Sequence, residues 1–113
     1  MKVTETHIYK KALELVEVAR ETTRQLPSGH AFLADQLKRA SSSVVLNFAE
    51  GYSKSTPAEQ RRFFNIALGS AEESLAIFDV AHRLEAVSPQ LHARGTDLAD
   101  HLSRMLWKFR RAA

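Results

Sequence analysis

The chain has 113 residues with hydrophobic residues at 44%, enough for one domain with a single packed core. Cysteine is absent, which excludes disulfides, thiolate metal sites and a cysteine nucleophile together. The net charge of +3 and pI near 9.5 permit contact with polyanions without requiring it.

Glycine and proline are scarce, at four and three residues, so the chain has few places to turn. The breaks fall at Pro27-Ser28-Gly29, at Gly51 through Pro57, and at Ser88-Pro89. Between them apolar residues recur every three or four positions. The first segment carries Ile8, Ala12, Leu15, Val16, Ala19 and Leu26. The second carries Phe32, Leu33, Leu37, Ala40, Val44, Val45 and Phe48. Gly51, just past this stripe, is expected to close the helix in the left-handed conformation. Thr56-Pro57-Ala58-Glu59 then reads as a capping box with proline at the first helical position. The third stripe is Phe63, Phe64, Ala67, Ala71, Leu75, Phe78, Ala81 and Leu84. Ser88-Pro89 opens the last segment, with Leu91, Leu98, Leu102, Met105, Leu106 and Phe109. Each set forms one stripe of a helix, and none alternates as a strand does. The third helix, over roughly residues 57–86, would run near 45 Å at about 1.5 Å per residue. Helices this long, joined by short turns, must fold back on their neighbours. The predicted fold is all-α: a single antiparallel, up-down-up-down four-helix bundle over residues 1–113.

No stretch approaches the about 18 consecutive apolar residues of a membrane span. The opening residues mix charges through their apolar positions and lack a signal-peptide core. A cytoplasmic location and no membrane partner are therefore expected.

The polar residues supply no recognisable catalytic constellation. The histidines are His7, His30, His82, His92 and His101, and their nearest approaches to a bundle metal motif are Asp79-Val80-Ala81-His82 and the pair Asp97/His101. Neither is the Glu-x-x-His repeat of a di-iron bundle, so no metal or cofactor is expected. Ser41-Ser42-Ser43 has no glycine-rich elbow around it, and hydroxyls within a helix bond back to carbonyls or allow close helix packing. Gly69-Ser70-Ala71 reads as a small-residue notch where another helix, of this chain or a neighbouring subunit, crosses closely. Arg39, Asn47 and Glu50 are expected to form a polar network near the end of the second helix.

Up-down topology gathers residues 1–15, 42–71 and 100–113 into one half of the bundle. That half holds ten basic and five acidic residues, a net +5, and the remainder holds six and eight, a net −2. The candidate nucleic-acid contacts are Lys10, Lys11, Lys54, Arg61, Arg62, Arg104, Lys108, Arg110 and Arg111. The last three complement the dipole of a helix C-terminus; Arg61 and Arg62, in the first turns of a helix, oppose theirs. A phosphate backbone or an acidic protein partner would account for them. Trp107 and Phe109 lie among these charges. Phe109 continues the core stripe, and Trp107 is expected at an interface.

Three blocks carry a resemblance: Leu37-Lys38-Arg39-Ala40-Ser41-Ser42-Ser43-Val44, Asn47-Phe48-Ala49-Glu50-Gly51, and Phe63 through Glu73. They resemble the bacterial four-helix bundle proteins encoded in 23S ribosomal RNA intervening sequences, with the accessory proteins of diversity-generating retroelements as relatives. The pattern of that family reads Asn-Ile-Ala-Glu-Gly, so Phe48 is an apolar departure. The resemblance implies a barrel-like homopentamer without enzymatic activity and, through the retroelement relatives, contact with nucleic acid and a reverse transcriptase. Five parallel copies would join their basic ends into a ring of about +25.

The expected function is thus a non-enzymatic homo-oligomer that contacts RNA or DNA through its basic end. The alternatives are a protein scaffold receiving an acidic partner, and a ligand- or metal-binding bundle enzyme.

Overall fold

The computed structural model describes residues 1–113, with four long helices and no strands. Three of the helices start where a hydroxyl can accept an unpaired backbone N–H. Thr6 accepts from Tyr9 at 3.2 Å and opens α1 (His7–Gln25). Thr56 accepts from Glu59 at 3.3 Å and opens α3 (Pro57–Arg83). Ser88 accepts from Leu91 at 3.2 Å and opens α4 (Pro89–Ala112). Each such cap contributes about 1 kcal/mol. Only the threonine half of the expected capping box forms. α2 (Ala31–Ser53) has no side-chain cap and follows a short 3-10 turn over Ser28–His30.

The end of α3 is closed without glycine. Glu85 takes a left-handed conformation (φ 58°). The Ala86 N–H reaches back to the Ala81 carbonyl at 2.8 Å and the Glu85 N–H to His82 at 3.0 Å. This is the Schellman arrangement, with a glutamate where glycine would avoid the steric cost.

α3 lies between α2 and α4, and α1 closes the bundle against the same two helices. The Tyr52 hydroxyl donates to the Met1 carbonyl, joining the end of α2 to the start of the chain. Arg61 donates to the Ala113 carbonyl, joining the start of α3 to the end of α4. At the far end Arg94 of α4 pairs with Glu21 of α1. The result is a rod of 44 × 21 × 18 Å, whose length matches the about 40 Å that 27 residues of helix span.

One continuous core runs along the axis. Ile8, Leu15, Leu33, Leu37, Val44, Phe48, Phe78, Leu102 and Leu106 are each at most 2% exposed. The predicted stripes supply most of it, and Val18, Ile77 and Ala99 add to them. Phe32 and Leu84, expected inside, are 55% and 48% exposed. Both sit at helix ends, where no neighbouring helix covers the stripe.

The glycine expectations need two corrections. Gly51 does not close α2 in the left-handed form; it lies inside the helix, is buried, and has ordinary φ. A Cβ there would stand 2.7 Å from the Phe64 ring, so Gly51 lets α3 approach α2. Conversely, no helix of this chain crosses at Gly69, which is exposed with open space around it, while Ser70 and Ala71 are buried. The second close crossing is at Gly95, whose missing Cβ makes room for Phe78.

Candidate nucleic-acid interface

The topology places all nine candidate basic residues in the half of the rod formed by the starts of α1 and α3 and the ends of α2 and α4. Ion pairing divides them. Lys11 pairs with Glu14 at 3.6 Å, Lys54 with Glu50 at 3.3 Å and Arg104 with Asp100 at 3.0 Å, each within one helical turn. Those pairs add little stability at such exposure, but they offset the charge locally. Lys10, Arg61, Arg62, Lys108, Arg110 and Arg111 have no acidic partner among the five ion pairs. These six set the potential of this end.

Four of the six are held by hydrogen bonds or aromatic rings. Arg61 donates to the Ala113 carbonyl at 2.8 Å, and Arg110 to the Asn65 side-chain oxygen at 3.2 Å. Arg110 and Arg111 also lie over the Trp107 ring, 5.9 and 5.3 Å from its centre, and Arg62 lies 5.3 Å from that of Phe63. Apart from the main-chain oxygen of the last residue, Ala113, none of these partners sets a negative charge against the guanidinium groups. Together they orient guanidinium groups along the surface where the start of α3 meets the end of α4.

Beneath the charges sits an aromatic cluster. Phe48, fully buried, stacks on Phe64 at 5.6 Å and meets the edge of Phe109 at 5.4 Å, with Tyr52 at 5.9 Å. It ties α2, α3 and α4 together and fixes the last turns of α4 from which Lys108, Arg110 and Arg111 project. Phe109 is 37% exposed, because it caps this cluster at its rim. A shallow apolar groove of about 450 Å³ opens beside it, lined by Met1, Ile8, Met105, Lys108 and Phe109 among others.

The expected Arg39–Asn47–Glu50 network does not form. Arg39 is exposed, and Glu50 pairs with Lys54. Asn47 instead donates to the Ser43 carbonyl and hydroxyl at 3.0 and 2.9 Å, and Ser70 donates to that same hydroxyl at 2.7 Å. This Asn47–Ser43–Ser70 relay bridges α2 and α3 across the small residues of both helices. Ser41 bonds back to the Lys38 carbonyl at 3.4 Å, as a structural helix hydroxyl does.

The histidines lie elsewhere. His82 and His92 stack with ring centres 4.1 Å apart, and His92 contacts Asp79 at 2.8 Å, at the end of the rod opposite the free cations. His7 and His101 are exposed. His30 is half-buried beside Phe32, with its Nδ1 unpartnered.

Residues 4–108 match the family model of the 23S rRNA-intervening sequence protein. The chain belongs to that family. A solved structure with the same fold is described as a protein of unknown function from the S23 ribosomal protein family of Bacteroides thetaiotaomicron VPI-5482. It superposes with a TM-score of 0.85 over 91% of this chain and 97% of that one, at 18% identity, which speaks for the fold alone. No curated protein matches the chain.

In this member of the 23S rRNA-intervening sequence protein family, two residues have roles that the sequence does not assign to them. Asn65 holds Arg110; in the sequence it stands within the block Phe63 through Glu73, one turn after Arg61. Ser43 is the centre of the α2–α3 relay, and its serine run was the visible sign.

Proposed function

We propose that the protein is a non-enzymatic homo-oligomer whose basic end contacts the phosphate backbone of RNA or DNA. The observation that supports this reading is the gathering of Lys10, Arg61, Arg62, Lys108, Arg110 and Arg111 at one end of the rod without Asp or Glu partners. Maintaining Arg61 and Arg62 in the first turns of α3 costs electrostatic free energy against the helix dipole, and a bound polyanion reverses that sign. An acidic protein would satisfy the same charges, but the rings among them suit nucleic acid better.

Assembly is supported by the outer face of α3. Arg62, Ile66, Gly69, Glu73, Ala76 and Val80 are all exposed and fall on one stripe, with Leu46 exposed on α2. Gly69 within a helix costs about 1 kcal/mol relative to alanine, and nothing in its own chain occupies the space it leaves. A second copy packed there would use both the gap and the apolar side chains; five copies, as in the related barrel arrangement, would place their basic ends side by side. Light scattering should therefore give a mass that is a multiple of 12.7 kDa, and Gly69→Leu should reduce it without loss of helix signal. A stable monomer at micromolar concentration defeats the assembly reading.

For the surface itself, anisotropy of labelled RNA hairpin and DNA duplex should rise on adding protein, with affinity falling steeply as salt increases. Replacing Arg61 and Arg62 together by alanine should weaken binding about tenfold and flatten the salt slope by about two. No binding at low salt removes the nucleic-acid reading and leaves the acidic protein partner as the account of the charges.

A further inference from the structure

We infer that the basic end selects unpaired nucleotides, with Trp107 as the stacking platform for a base and Arg110 and Arg111 as the clamps for its flanking phosphates. This rests on the nucleic-acid reading above and narrows it to single strands.

Trp107 lies on α4 one position past Leu106, which is fully buried, and so it falls off the core stripe. It is 43% exposed, a large apolar ring left on the surface at the most cationic part of the molecule. No aromatic residue contacts it; its ring neighbours are the guanidinium groups of Arg110 and Arg111, at 5.9 and 5.3 Å. Phe63, the other ring flanked by cations, lies under Lys54 and Arg62 at the start of α3. Aromatic rings set among arginines along a positive surface are the elements of single-strand recognition, where bases stack and phosphates pair with cations.

The guanidinium groups do not block this use of the ring. An exposed cation–π contact is weaker than the stacking of a nucleobase on an aromatic ring, so a base displaces them at a net gain. A displaced guanidinium then stands beside the sugar–phosphate chain on either side of that base. Arg110 is positioned for the exchange, because Asn65 holds it by one bond and leaves its remaining N–H groups available. A duplex offers phosphates but keeps its base faces stacked on one another, so it would engage the arginines and leave Trp107 unused.

Trp107 is the only tryptophan in the chain, so its emission reports this ring alone. The test is to titrate the protein with poly(U), a largely unstacked single strand, and with the poly(A)·poly(U) duplex at matched salt. Excitation at the red edge of the indole band keeps absorption by the nucleotides low. The expected result is strong, saturable quenching with poly(U) and little with the duplex. Trp107→Ala should weaken poly(U) binding about tenfold and leave duplex binding within about twofold. Trp107→Phe, which keeps a ring, should recover much of the loss, and circular dichroism of both variants excludes a folding defect. Equal affinity for strand and duplex, with Trp107 emission unchanged, overturns the stacking role while leaving the basic end as a phosphate surface. Binding to neither polymer, at low salt, overturns both.

Discussion

Phe48→Ala should lower the melting temperature by about 12–20 °C, corresponding to a loss of about 3–5 kcal/mol in a chain of this size. Phe48 is fully buried, and its ring meets Phe64, Phe109 and Tyr52 at 5.4–5.9 Å. Removing it empties a space bounded by three helices, and rigid rings line that space on two sides. The neighbours cannot close it without moving α4. A loss of this size is a large part of the total stability of a small domain. The measurement is thermal unfolding followed by helix signal at fixed protein concentration, since assembly makes the midpoint depend on it. A fall of only a few degrees would mean that the cluster can repack. Phe48→Ile should recover part of the loss, because it fills the aliphatic part of the space but provides no ring edge for Phe109. The damage should also reach the surface: Phe109 is anchored by Phe48, and Lys108, Arg110 and Arg111 share its helical turns.

Gly95→Ala should destabilise the bundle by about 2 kcal/mol, although alanine is the better helix former by about 1 kcal/mol. The added methyl would run into the ring of Phe78, which is fully buried and has no free direction to turn. Steric cost wins here because the obstacle is a rigid ring inside a packed core. The paired change Phe78→Leu tests the cause. If the ring is the obstacle, Gly95→Ala should cost less on that background than on the native one, a coupling that a double-mutant cycle reads directly. If Gly95→Ala raises the midpoint instead, the Phe78 ring yields to the added methyl and helix propensity decides the outcome.

These two positions also mark what the sequence made legible. The helices were visible because their signals are local: Thr56 and Ser88 cap within three residues, and apolar spacing repeats within a turn. Glycine was harder to read. Gly51 reads as a terminator because it follows the last apolar residue, yet it lies one turn beyond Phe48 on the buried stripe. Gly95 likewise falls on the stripe of Leu91, Ala99, Leu102 and Leu106, where a small residue opposite a large one was a usable sign. The polar network is hidden in the sequence for a different reason. Asn47 finds its partners through Ser43 and Ser70, and the second of these lies 27 residues along the chain on another helix. Spacing within α2 could not reveal it. The gathering of the basic residues was legible, since it needs only topology and charge signs. Which cations remain unpaired was not, because it depends on how Glu14, Glu50 and Asp100 place their carboxylates.

The rod is more than twice as long as it is wide, 44 Å against 21 and 18 Å, and its charge is distributed along that length. With a net +5 on one half and −2 on the other, it is an electric dipole as well as a cation. In the field of a polyanion such a body experiences a torque before it makes any contact, and it turns its positive tip forward within about a Debye length, roughly 8 Å at physiological salt. Encounters are then pre-aligned, and fewer collisions are spent on the acidic end. Added salt shortens the distance over which that rotation can occur, so it should slow arrival more than it hastens departure.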